Sequence, residues 1–473
     1  MPSSLKLLSN LIAESVDKIE QRCAAQGVPF PELNEVLSFQ SEAIRSDTDV
    51  AEAIQVIAAS AAQLLATAMS PIATLSVVAH QWDVPACLGA ANDANVAEIL
   101  RDAGPKGAHI DDIAKRNGTN AGRLGRVLRL LASHHIFREV SPDVFANNRI
   151  SSLLDSKKPV EELEKNPQSK YTETSLVNTF VSFGAGEFFK GGAFLSETLR
   201  DPVFGHSDEA NHSAFNKAFK FDVSFFEWME RPENKDVLSR FSLMMRATTD
   251  LLPDAAILNG FDFGSLPDGA LVVDVAGGIG SLSMVLAKTF PKLNFVVEDR
   301  PQLASDAEPY WKSNLPEALE SGRVRLVAHD MFTPQPDLGS PVDVFVLRGI
   351  LHDWADSYGI RLLSHLRAAA GPQTKLVVIE ILLESPCRDP ETSTIKGCEP
   401  RTVPEPLLAN MGAADSVDYS MDMMMMGFGN GQERTLRHYV KILSETGWEL
   451  KEVIHIDSLH IGPLRPHLIA VPV

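Results

Sequence analysis

From residue 271 onward the hydrophobic pattern alternates between two lengths. Short apolar runs of strand length stand at 271–275, 293–297, 324–328, 342–347 and 376–381. Helical patterns lie between them at 282–288, 301–311 and 360–370, the last stopped by Gly371-Pro372. Continuous apolar runs read as strands buried on both faces, so the rhythm predicts a largely parallel, doubly wound α/β sheet. Two more runs, 449–457 and 466–471 around Gly462-Pro463, predict a closing antiparallel hairpin.

Ahead of residue 261 the pattern is helical. Residues 1–50 read as an N-terminal helical extension with a turn at Pro29 and Pro31, and 51–69 and 72–84 as helices apolar on most faces. Such helices need burial on several sides, which a core or a subunit interface supplies. A helix pair at 109–116 and 120–133, followed by strands 136–140 and 144–146 around Ser141-Pro142-Asp143, predicts a winged-helix unit within 51–160. Residues 161–260 form a helical linker rich in phenylalanine, including Phe215, Phe225 and Phe226, with a final helix at 241–258. Those rings serve either as a packed core or as the wall of a pocket for a flat organic substrate. Within the last unit, 261–473, the stretch 384–416 carries Pro386, Pro390, Pro400, Pro404 and Pro406 and reads as a mobile surface insertion. Residues 417–428 return to helix.

Composition narrows the function. A chain of 473 residues exceeds one ordinary core, so two or three domains are expected. A net charge of −19 argues against nucleic acid and anionic membrane as main partners, so Arg123, Arg126 and Arg129 on one helix face read as a solvated face. Four separated cysteines without a C-x-x-C pair predict neither zinc nor disulfides, no metal, and a cytoplasmic setting. The N-terminus, with Glu14 and Asp17, does not read as a signal peptide. The apolar stretch 53–78, broken at Pro71, reads as a buried helix pair rather than a membrane span.

The chemistry begins at LVVDVAGGIG, 271–280. A strand that runs into Gly277, Gly278 and Gly280 and then a helix opens a nucleotide-binding unit. About twenty residues later the next strand ends in Glu298-Asp299, where an acid binds ribose hydroxyls. Further motifs follow in order: VVEDRPQL, HDMF (329–332), VFVLRGILHDWAD (344–356), VVIEILLES (377–385) and NGQERT (430–435).

This series resembles the S-adenosylmethionine (SAM)-dependent O-methyltransferases of the plant caffeic-acid and flavonoid type and their fungal aromatic-polyketide relatives. The resemblance implies a Rossmann-like class I methyltransferase sheet closed by the hairpin, with the winged-helix unit as dimerisation domain. It also implies a homodimer acting on an aromatic small molecule. Carried over by position, it implies that Gly277, Gly278, Asp299, Asp330, Met331 and Arg348 bind SAM, Arg348 standing where the family usually has lysine. His352 matches the catalytic base, Glu380 and Glu433 the acids flanking it, and Met423, Met424 and Phe428 the substrate wall. Ala276 departs from a usual glycine and is expected to keep a negative φ. A histidine of ordinary pKa, about 6.5, is expected to be mostly neutral at pH 7 and able to take a phenol's proton. Two other readings compete. One is a SAM-retaining enzyme for a pericyclic reaction, disfavoured by the base and its acids, and the other an NAD-dependent oxidoreductase, disfavoured by the closing hairpin.

Overall fold

In the computed structural model, which describes residues 2–172, 177–251, 254–389, 394–399, 401–456 and 465–473, the C-terminal half is built on one seven-stranded sheet. Its strands are β1 (Leu271–Val275), β2 (Asn294–Asp299), β3 (Val324–Ala328), β4 (Val344–Arg348), β5 (Lys375–Ile379), β6 (Trp448–Ile454) and β7 (His467–Pro472). They lie in the order β6-β7-β5-β4-β1-β2-β3. The first five pair in parallel, and β7 runs antiparallel between β5 and β6. The connection around Gly462-Pro463 lies outside the described residues.

The unbroken apolar runs have their predicted cause. Leu271, Val273 and Val275 pack on one side with Phe345, Leu347, Leu376 and Val378. Val272, Val344, Val346, Val377 and Ile379 pack on the other. Both faces of the sheet are therefore covered. β1 and β3 begin and end where the sequence places them, and the other strands shift by one to three residues. The helix Leu436–Glu445, which the sequence reading missed, buries Tyr439, Ile442 and Leu443 beneath β6 and against Asp356–Ala369. The helix expected at 241–258 is two, Lys235–Leu251 and Asp254–Leu258.

In the N-terminal half, Ser4–Gln26 lies along Thr48–Ala68, with Ile19 and Cys23 against Val50 and Ala53. Ile110–Asn117 and Ala121–Ser133 precede a hairpin of Arg138–Ser141 and Val144–Ala146, to which Ala108–His109 adds a third strand. Arg129 is taken up by Glu139 and Asp143 within that unit. The helix expected at 72–84 ends at His80, and Asp83–Asp93 starts afresh.

Two expectations are corrected here. Within one chain the helix Pro71–His80 has no buried residue, and Ile72, Leu75, Val77 and Val78 are exposed. The stretch 384–416 is not merely a surface insertion either. Val403 and Met411 are buried with Ala59 in a small core of their own, and Gln63 Nε2 donates to the Pro406 carbonyl at 2.8 Å. Four apolar side chains (Val403, Leu407, Met411 and Ala414) suffice to dock a polar segment on the alanine-rich face of Thr48–Ala68. That helix is apolar and long enough to cross a membrane by composition. Its sides are taken by Ser4–Gln26 and by residues 403–414. Residues 390–393 and 400 of the insertion lie outside the described residues.

Candidate active site

The carboxyl ends of β1, β2, β4 and β5 converge on one cleft, as parallel sheets require. At the end of β1 the chain turns through Ala276 at φ 55°, so the expected negative φ is corrected. The turn is held from the next strand, where the Glu298 carbonyl accepts the Gly277 N–H at 3.0 Å. Gly277 is compelled by close packing, since a Cβ there would lie 2.6 Å from the Asp274 carboxyl carbon. Gly280 is compelled by the Trp311 indole, 2.7 Å from such a Cβ. Gly278, by contrast, faces open space.

Strand alternation separates the two acids at the end of β2. Glu298 is buried on the far side with Gln335 Nε2 at 3.1 Å, whereas Asp299 Oδ2 accepts the Gly278 N–H at 2.7 Å. Asp299 thus hangs over the glycine turn with lone pairs to spare. Asp330 is exposed beyond β3 and accepts the Phe332 N–H at 3.0 Å, with half-buried Met331 beside it. Arg348 ends β4. Burial and the neighbouring Arg465 lower its pKa to about 10, against the pull of Asp274. This glycine turn, with an unobstructed Gly278 under a carboxylate, fits a nucleoside whose ribose hydroxyls donate to Asp299.

His352 sits in the short helical turn Leu351–Asp353 just past β4 and is 8% exposed. The two acids expected around it have different tasks. Glu433 Oε1 accepts from His352 Nδ1 at 2.7 Å, while Glu380 reaches the backbone instead. Glu380 Oε1 accepts the Ile350 N–H at 2.8 Å and also the Leu351 and His352 amides, and its Oε2 accepts from the Tyr439 hydroxyl. The NGQERT stretch closes around the same turn. The Gln432 N–H donates to the His352 carbonyl at 2.8 Å, and fully buried Arg434 donates to the Leu351 and Trp354 carbonyls. Asp422 Oδ1 accepts the Glu433 N–H at 2.9 Å. The ring is therefore fixed through both its side chain and its backbone, and Nε2 keeps only a longer contact, 3.7 Å to Asp353 Oδ1.

Burial alone would lower the His352 pKa, but the nearby carboxylates of Asp353, Glu433 and Glu380 outweigh it and raise it to about 9. The neutral imidazole expected at pH 7 is thus corrected. The expectation treated the ring in isolation, and a pKa is set by its neighbours.

The methionine helix Ser416–Gly429 runs beside this turn. Phe428 and Met425 are buried in the aromatic cluster, with Phe428 5.7 Å from Phe225 between ring centres. Met424 is half-buried at its edge, and Met423 faces away, 47% exposed. Sequence reading missed Arg465, whose guanidinium approaches Gly349 and His352 from the start of β7. Its only signal was a basic residue beside the last strand.

A parallel sheet closed by an antiparallel last pair, with its nucleoside cleft at the strand ends, defines the class I SAM-dependent methyltransferases. Residues 197–449 match the O-methyltransferase domain and residues 77–157 the O-methyltransferase dimerisation domain. The chain belongs to the O-methyltransferase family, and SAM is its methyl donor. It is 39% identical to 4-O-methyltransferase 1 of Phanerochaete chrysosporium, over 95% of each chain. It is 29% identical to O-methyltransferase gedA of Aspergillus terreus, over 87% of this chain and 86% of the other. Among solved structures, mitomycin 7-O-methyltransferase MmcR shares the fold at TM-score 0.58 and 22% identity, over 87% of this chain and 99% of that one. A pericyclic reaction enzyme does so at TM-score 0.63 and 16% identity, over 98% and 100%. The dimerisation domain supports a homodimer.

Proposed function

We propose that this enzyme methylates a hydroxyl of an aromatic small molecule, a phenolic or polyketide-type metabolite, with His352 as general base. The carrying observation is the 2.7 Å contact of His352 Nδ1 with Glu433, which leaves Nε2 as the accepting nitrogen toward the cleft. SAM supplies a sulfonium-activated methyl group. Gly277, Gly278, Asp299, Asp330, Met331 and Arg348 hold it in this reading. Met424 and Phe428 border the acceptor.

A phenol has a pKa of about 10, so removal of its proton during transfer is where the protein helps. Bound SAM would add a positive charge that opposes Asp353, Glu433 and Glu380 and so would lower the His352 pKa. Glu433 then stabilises the imidazolium that forms, and Glu380 keeps the turn in place. A pericyclic rearrangement has no need of a base backed by a carboxylate, and an aliphatic alcohol is too weak an acid for this one. The cytosol remains the compartment in this reading, in keeping with four free cysteines. Purified protein, SAM and a panel of phenolic and polyketide acceptors, followed by mass spectrometry, provide the test. One added methyl on aromatic hydroxyls is expected. Transfer only to aliphatic alcohols, or rearrangement without transfer, would overturn the proposal.

A further inference from the structure

We infer that Arg465 is a second catalytic residue, whose guanidinium and His352 Nε2 together hold the acceptor oxygen while it is anionic. The inference rests on the acceptor class proposed above.

Gly349 lies between β4 and the His352 turn at φ 62°. A side chain there would place its first carbon 3.1 Å from Arg465 Nη1 and 3.5 Å from His352 Nε2. Both nitrogens therefore come within contact distance of one point beside the bare Gly349 Cα, where any side chain would crowd them. β7 brings Arg465 there, since His467 pairs with Ile379 and so stands beside Glu380 and the turn it holds.

Two other basic side chains stand in this region: Arg348 ends β4 under the pull of Asp274, and Arg434 is committed elsewhere. Arg434 is fully buried and spends its donors on two carbonyls and on Asp356. Arg465 is half-buried and makes no hydrogen bond or ion pair among the described residues. Asp353 and Asp418 are near enough to feel its charge without pairing with it. A guanidinium with all its donors unspent, beside the nitrogen that takes the proton, suits an oxygen that is about to become anionic.

In the reaction the acceptor O–H bond breaks and its proton passes to the neutral His352 Nε2. The oxygen then forms its bond to the methyl carbon as the carbon–sulfur bond breaks. The electron pair of that bond goes to sulfur, and the product is a neutral thioether. Arg465 keeps its proton throughout and donates to the oxygen between the two events. Removing one such donor lowers kcat by about 10²-fold. The loss falls hardest on phenols that ionise least readily, because they depend most on the second cation.

Arg465→Gln and Arg465→Lys are to be compared with wild type at saturating SAM on ring-substituted phenols of graded acidity. The Gln variant is expected to lose about 10²-fold in kcat on the least acidic phenol and far less on the most acidic. The Lys variant should recover part of the loss, and SAM affinity by calorimetry should be unchanged in both. An equal loss across the series, or weakened SAM binding that accounts for the loss, overturns the role of Arg465. If the wild type methylates none of these phenols, the proposed acceptor class itself fails, and this inference falls with it.

Discussion

His352 is pulled in two directions. Burial favours the neutral ring, and three carboxylates favour the cation and prevail, with a pKa of about 9. The folded value lies above the unfolded one of about 6.5, so the imidazolium's contribution to stability is whole below about pH 6.5 and is lost as pH rises through 9. The melting-temperature gap between wild type and His352→Gln should therefore narrow from acid to alkaline pH without ligand. The same variant should bind SAM normally and lose about 10²-fold or more in kcat. Undiminished turnover would remove His352 from the reaction. Ala276 shows a different kind of residue-scale tension. Its left-handed backbone costs roughly 1–2 kcal/mol, and the Glu298 and Asp299 contacts of the next two amides hold it there.

Among the elements, the segment 401–415 links the two halves of the chain. It docks on Thr48–Ala68 through Val403, Leu407 and Met411 and leads straight into Ser416–Gly429. That helix in turn carries Asp422, which fixes the Glu433 backbone behind the base. The docked segment therefore anchors one wall of the cleft. Met411 is 2% exposed, and Met411→Ala should cost about 2 kcal/mol or more. Limited proteolysis of that variant should show faster cleavage within 401–415 than in wild type, with a lower melting temperature. Unaltered cleavage would mean that the small core does not hold the segment down.

At the scale of the whole molecule, apolar side chains left exposed by one chain need a partner. Leu65, Ile72, Leu75, Val77 and Val78 fall on consecutive helices of the N-terminal half, with Trp82 in the turn that follows, and each is at least half exposed. Contiguous apolar surface of this kind marks an interface, and obligate dimers bury about 2,000 Å² or more. Light scattering should report twice the 51.6 kDa of one chain. Ile72→Asp with Leu75→Asp should shift the protein toward 51.6 kDa. A double variant that stays dimeric would place the interface elsewhere.

The sequence by itself determined the sheet and its chemistry of opening. The runs at 271–275 and 324–328 are strands at those bounds, and the acid that ends β2 hangs over the glycine turn. These features follow from neighbours a few residues apart, where period and turn chemistry operate. Met421, Met424, Met425 and Phe428, three or four residues apart on one helix, likewise pack into one aromatic cluster. Tertiary structure decided the rest. Glu380 and Glu433 look alike in sequence, and only the fold sends one to the backbone and the other to the ring. The charge on His352, the docking of 401–415 and the approach of Arg465 depend on groups far apart in the chain. Their distances are set by the packing of the whole sheet, and electrostatics and burial respond to distance rather than to order along the chain.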